Sequence, residues 1–349
     1  MQKSSEKKAA QKKSEHLLVV KNWCVKHFKA RAGRSLAVTA LPGDASSRLY
    51  FRIRTKTNSF IVMKMQAFIE QGEHLPFIQV QRHLHRLGVN VPQIIDTDEK
   101  NGIILLSDLG DETLLNRLQN VSKPRDQLVW FKRAIDLLLN MQLRATEHSA
   151  PIDAYGQYFD EEKLMWEVGF TLAHFYSGSL APKIPSKELR VVQTYFEWIC
   201  KRLSSQDWYF THRDYHCRNI MVKNNELYMI DFQDARLGCA QYDLASLLRD
   251  SYYQLEEQTV YELVDYYFRK KQEIEGKKES IKDFIKIFDL MSIQRNFKAI
   301  GSFASFYVKR GDVRYLKFIG NTFENIRRNL LKFPELSELR TLLYRYYYF

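Results

Sequence analysis

His212-Arg213-Asp214-Tyr215-His216-Cys217-Arg218-Asn219, followed after a short apolar stretch by Ile230-Asp231-Phe232-Gln233-Asp234, decides the reading of this 349-residue chain. One tight loop carries a carboxylate and, five residues on, an amide; a second carboxylate stands twelve residues beyond the amide. Phosphoryl transfer needs this set: a carboxylate at the acceptor hydroxyl and hard oxygen ligands for a divalent cation. The spacing therefore predicts Asp214 as catalytic carboxylate and Asn219 and Asp231 as ligands of Mg²⁺. Ile220-Met221-Val222 and Leu227-Tyr228-Met229-Ile230, with Lys223–Glu226 as turn, predict the hairpin that joins loop to second carboxylate.

The loop matches the H-R-D-x-x-x-x-N pattern of ATP-dependent kinases position by position. His216, two residues after Asp214, and Gln233, where protein kinases carry glycine, point to a small-molecule acceptor, and no A-P-E or G-x-G-x-x-G segment is present. His212 and His216 have the i, i+4 spacing of a zinc pair, but they sit in a loop and lack the intervening glutamate of H-E-x-x-H. Structural roles are expected for both. Asp243 either supports the same loop or caps its own helix.

Upstream, the pattern is that of strands. Leu36–Leu41, Arg48–Arg54 and Phe60–Met65 flank a Gly43–Ser47 turn and a Thr-Asn-Ser turn, a helix follows over Leu75–Leu87 to Gly88, and strands recur near Pro92–Asp96 and Gly102–Leu106. Lys64 is the candidate cation for the ATP phosphates. Its acidic partner is left open between Glu70 and Glu73, because the mid-helix position holds Gln79. Gly43, Ser46 and Ser47 would offer backbone N–H groups and hydroxyls to the phosphates. Ser107–Asp111 reads as a hinge, with Ser107 and Leu109 against the nucleotide. Beyond it helical patterns dominate, including Asp126–Ala145 and Lys187–Leu203.

The predicted fold is α+β and bilobal, like a protein kinase. Residues 1–14 form a basic disordered tail, 15–106 a small antiparallel β N-lobe with one helix, 107–111 the hinge, and 112–349 a larger, mainly helical C-lobe. The net charge of +12 suits anionic partners, but the cations are dispersed and no nucleic-acid motif accompanies them. No apolar run is long enough to span a bilayer and no secretory signal pattern opens the chain. Four scattered cysteines fit free thiols in a reducing cytoplasm. A monomer without nucleic-acid or membrane partners is expected.

The segments LPGDASSRLYFR (41–52), GVNVPQI (88–94), LLSDLGDETLL (105–115), HRDYHCRNIMV (212–222), IDFQDARLG (230–238), YDLASLLRD (242–250) and QRNFKAIGSFA (294–304) run in order along the chain. With them the sequence resembles the aminoglycoside-phosphotransferase-like kinases, and within these the amino-sugar anomeric kinases. The resemblance implies transfer of the ATP γ-phosphate to the C1 hydroxyl of N-acetylmuramate or N-acetylglucosamine, in peptidoglycan recycling. It implies a sugar site in the helical lobe, with Gln233, Asp234, Arg249, Gln294, Arg295, Asn296 and Lys298 as candidates; arginine suits a lactyl carboxylate. Another hydroxylated acceptor, such as an aminoglycoside, is the alternative. A catalytically dead binding module would be expected to lose Asp214, Asn219, Asp231 or Lys64, and all four are present.

Overall fold

Alternating apolar residues in the first hundred positions need two partners, one for each face of a sheet. The computed structural model describes residues 2–29, 36–42, 48–177 and 179–347, with side chains from residue 15 onward. Helix α1 (Gln2–His27) precedes strands β1 (Ala37–Ala40), β2 (Leu49–Arg54) and β3 (Ser59–Lys64); helix α2 (Pro76–Arg86) then leads to β4 (Ile94–Asp98) and β5 (Ile103–Ser107). The five strands form one antiparallel sheet in the order β1-β2-β3-β5-β4. On one face Phe51, Ile53, Val62, Ile103 and Leu105 bury against Val20 and Cys24 of α1. On the other, Met63, Ile104 and Leu106 join the main core.

One expectation changes here. The segment read as a disordered tail is helical from Gln2, continuous with the amphipathic part of α1. Apart from three serines, Lys, Ala, Gln and Glu fill it, and these are strong helix formers.

The C-lobe holds α3 (Leu114–Gln119), α4 (Pro124–Glu147), α5 (Glu161–His174), α6 (Ser186–Ser204), α7 (Gln241–Leu248), α8 (Glu257–Glu275), α9 (Ile281–Arg310), α10 (Ile319–Leu330) and α11 (Ser337–Arg345). A capping box between Thr113 and Asn116 starts α3 straight after the hinge. The hairpin of β7 (Ile220–Lys223) and β8 (Glu226–Met229) turns through Asn224 and Asn225, both at positive φ (51° and 62°), as a two-residue turn requires. β6 (Trp208–Thr211) pairs with β9 (Arg236–Cys239), a strand the sequence pattern did not reveal. Long helix α9 is buried along most of its length. At Gly301 its backbone lies so close to Thr171 of α5 that a Cβ there would collide. This fixed axis presents one face of α9 to the cleft between the lobes.

Candidate active site

The loop between β6 and β7 is held from several sides. Asp243, in the first turn of α7, accepts the backbone N–H groups of His212 (2.6 Å) and Arg213 (3.0 Å). Of its two expected roles, the structure selects support of the loop. A carbonyl can only accept, so His212 Nε2 carries the hydrogen it gives to Ile230 O at 2.9 Å. Burial lowers the His212 pKa, consistent with a neutral ring. The Tyr215 hydroxyl donates to Ala134 O (2.8 Å), and Asp250 Oδ2 accepts the Cys217 N–H (3.1 Å). His216 lies edge-on to Tyr252, and burial pushes it down to about 3. Arg213 and Asp231 adopt positive φ (81° and 67°). Backbone strain of this kind survives only where the surroundings over-determine it.

Asp214 faces the cleft beside two cations of α9. Lys298 Nζ lies 3.0 Å and Arg295 Nη2 3.2 Å from its Oδ1. Burial acts to raise the Asp214 pKa, but Lys298, then Arg295 and Arg213, hold it well below the usual carboxylate range. Burial also lowers the Lys298 pKa, with Asp214 opposing the shift and Arg295 adding to it. The spacing of three residues puts Arg295 and Lys298 on one helical face. Gln294 and Asn296 make their hydrogen bonds elsewhere. Gln294 donates to Leu164 O and Glu167 Oε2 of α5, both at 3.2 Å, while Asn296 donates to Ser292 O (2.8 Å). Neither lines the cleft, and it is these packing contacts that keep them from it.

The other candidates divide. Gln233 lines the cleft and donates to Asp231 Oδ1 at 2.9 Å. Asp234 sits in a side recess and pairs with Arg213 at 3.2 Å. Arg249 lies in the cleft wall, but its guanidinium is locked bidentately onto Glu257 by two 2.7 Å hydrogen bonds, and its side chain is 1% exposed. That leaves it a structural member of the wall, because its planar fork is already used.

Asn219 and Asp231 both line the cleft. The Asn219 amide nitrogen donates to Asp214 O (3.0 Å), which commits that end of the side chain inward, and the Asp231 side chain is half exposed. A carboxylate and an amide oxygen are hard donors that fit Mg²⁺. No cluster of three or more His, Cys, Asp or Glu suited to a metal occurs among the described residues.

Across the cleft, hinge residues Ser107–Asp111 border a slot with apolar walls from Leu41, Pro42, Ile61, Leu106, Met221 and Ile230. The cleft measures ≈ 990 Å³, at the upper end for ligand sites, with room for a nucleotide and an acceptor. Ser107 and Leu109 lie in it as expected. Gly43, Ser46 and Ser47 fall outside the described residues.

Lys64 is misplaced relative to expectation. The strand alternation that points Tyr50, Arg52 and Ile61 into the cleft sends Lys64 with Val62 toward α1. There its Nζ donates to Met65 O at 2.5 Å, and burial lowers its pKa against an opposing pull from Asp98. Neither Glu70 nor Glu73 is its partner; Glu73 pairs with Arg82 at 2.5 Å. Of two arginines that the sequence reading passed over, Arg52 lines the cleft and Arg48 the side recess next to it. Arg52 grips the hinge through Asp108, Asp111 and Gly110 O, and Arg48 Nη1 lies 3.9 Å from Asp231. The signal was present in Arg48-Leu49-Tyr50-Phe51-Arg52, whose even positions share a face.

A five-stranded lobe over a helical lobe, with Asp214, Asn219 and Asp231 on the cleft between them, defines a kinase-like phosphotransferase. Solved structures share this fold. Choline kinase from Cryptosporidium parvum Iowa II superposes with a TM-score of 0.63 at 12% identity, covering 93% of this chain and 97% of that one. The ADP-bound aminoglycoside phosphotransferase APH(2'')-Ib gives 0.56 at 13% identity, covering 86% and 96%. The model of the phosphotransferase enzyme family matches residues 37–277, and the chain belongs to that family. An N-acetylmuramate/N-acetylglucosamine kinase of Neisseria meningitidis is 29% identical over 325 residues, 93% of this chain and 94% of the relative. One of Pseudomonas aeruginosa is 32% identical over 302 residues, 86% of each.

Proposed function

We propose that the protein is an ATP- and Mg²⁺-dependent kinase of N-acetylmuramate and N-acetylglucosamine that phosphorylates the anomeric C1 hydroxyl. The observation that carries this reading is the acceptor side of the cleft. Asp214 stands there between Lys298 and Arg295, with Arg213 and Arg218 on the same loop. A surplus of cations suits an acidic or neutral sugar and opposes a polycationic aminoglycoside. Near full-length similarity to two relatives named for these sugars agrees with it.

The adenine would sit in the hinge slot, and Arg48, beside Asp231, would take the phosphate role expected of Lys64. Asn219 and Asp231 would hold Mg²⁺, which neutralises charge on the phosphate chain when bound. Asp214 would orient the C1 hydroxyl and accept its proton late in the transfer. A carboxylate held so firmly ionised is a weak base, yet an anomeric hydroxyl is more acidic than an ordinary alcohol. Among the described residues no helix is long and apolar enough to cross a membrane. A cytoplasmic monomer acting in peptidoglycan recycling is the setting we infer. The test is a panel of sugars with labelled ATP, the new phosphate being located by NMR. Phosphate on C1 of an N-acetylated sugar is expected; a C6 product, or turnover of aminoglycosides alone, would overturn the proposal.

A further inference from the structure

The cleft continues past Asp214. Arg295, Lys298, Ala299, Ser302, Phe303 and Phe306 of α9 all line it, a single helical face. At 1.5 Å per residue this stripe carries the cleft about 12 Å along α9 beyond Lys298, the second of the cations that grip Asp214. A pyranose spans only about 5–6 Å from O1 to O4, given C–C bonds near 1.5 Å. The excess length has a defined lining. A chain of ring contacts starts at the catalytic loop: His216 to Tyr252 (5.2 Å), Tyr252 to Phe303 (6.0 Å), Phe303 to Tyr315 (6.0 Å, planes 6° apart) and Tyr315 to Phe306 (4.7 Å); Phe303 and Tyr315 are the buried members, at 5% and 6% exposure. Arg218 lies 4.7 Å over Tyr252 and 5.9 Å from Tyr315.

A sugar ring with equatorial hydroxyls has apolar C–H faces and a polar rim. Aromatic side chains edged by a guanidinium match both parts. When C1 of an acceptor faces Asp214, its O4 lies across the ring, so a substituent on O4 leaves toward Phe303 and Phe306. A substituent on O3 leaves obliquely.

We propose that Tyr252, Phe303, Phe306 and Tyr315, with Arg218 at their edge, form a second sugar subsite that admits β-1,4-linked N-acetylated disaccharides by their reducing end. This rests on the amino-sugar reading above. The reducing-end C1 oxygen bonds to the γ-phosphorus as the bond from that phosphorus to the ADP oxygen breaks. The hydroxyl proton passes to Asp214 and then to solvent. The products are a disaccharide 1-phosphate, ADP and a proton, with the glycosidic bond intact.

The test compares N-acetylglucosamine with N,N'-diacetylchitobiose on the full chain by ADP release, in wild type, Phe306→Ala and Tyr315→Phe. The wild type should turn over the disaccharide with kcat/KM at least equal to that of the monosaccharide. Phe306→Ala should lower the disaccharide-to-monosaccharide ratio about ten-fold, a loss of about 1.4 kcal/mol. Tyr315→Phe, which keeps the ring, should hold the ratio near wild type. Monosaccharide turnover with no disaccharide turnover or competition would overturn the subsite and leave the amino-sugar reading standing. An unchanged ratio in Phe306→Ala would equally overturn it. Failure of both sugars would overturn the amino-sugar reading itself.

Discussion

Replacing Asp214 by Asn should destabilise the protein as well as stop it. Active-site carboxylates often cost stability, so the sign is informative. Here one carboxylate faces two cations whose side chains are 11% (Lys298) and 9% (Arg295) exposed. Removing the anion leaves two like charges side by side, one of them a lysine whose pKa is already lowered by burial. Breaking a buried ion pair costs about 3–5 kcal/mol. Asp214 is 30% exposed to the cleft, so solvent relieves part of this and about 3 kcal/mol is expected. For a helical lobe of this size that corresponds to a melting point lower by roughly 6–12 °C. Lys298→Met added to Asp214→Asn removes the repulsion and should recover at least about 1 kcal/mol, while turnover stays lost. Thermal melts of the wild type, both single variants and the double variant at pH 7, alongside initial rates, make the measurement. A single Asp214→Asn variant that melts within about 2 °C of wild type, or a double variant less stable still, would refute the electrostatic account.

Lys64→Met should leave the ATP KM within about two-fold of wild type, because the side chain points toward α1; a large rise measured by steady-state kinetics would return Lys64 to the cleft. Burial raises the Asp243 carboxyl from its usual 3.8 to about 7, so folding takes up a proton between those values. Its contribution to stability is full below pH 3.8 and declines as pH rises through 7, by at most about 1.4 kcal/mol per pH unit. Denaturant titrations across pH 4–8 should show that slope reduced in Asp243→Asn; an unaltered slope would assign it to other groups. Gly301→Ala should cost roughly 1–3 kcal/mol by forcing α9 away from Thr171, read as a shifted urea midpoint, and a neutral result would contradict that packing.

The phosphotransferase class was legible in the sequence because its loop motif and the second carboxylate are local. Asp214, Asn219 and Asp231 lie within eighteen residues, and chain geometry alone forces them together around one hairpin. The β-rich and helical halves were legible for the same reason, since periods of two and of three to four residues are written in neighbouring positions. What needed tertiary structure was the direction of side chains on elements far apart in the chain. Lys64 is one residue out of phase with the cleft, and only the docking of α1 on the sheet reveals which face is which. On α9, Gln294, Arg295, Asn296 and Lys298 look alike as a polar run, but Gln294 is held by α5 and Asn296 by Ser292 O and Asn325 of α10, while Arg295 and Lys298 meet Asp214. Arg249 carried the right chemistry until Glu257 of α8 was seen to occupy it. A periodic pattern states that a face exists; which neighbour it meets is set by long-range packing, and at this site that packing decides which charges remain for the ligands.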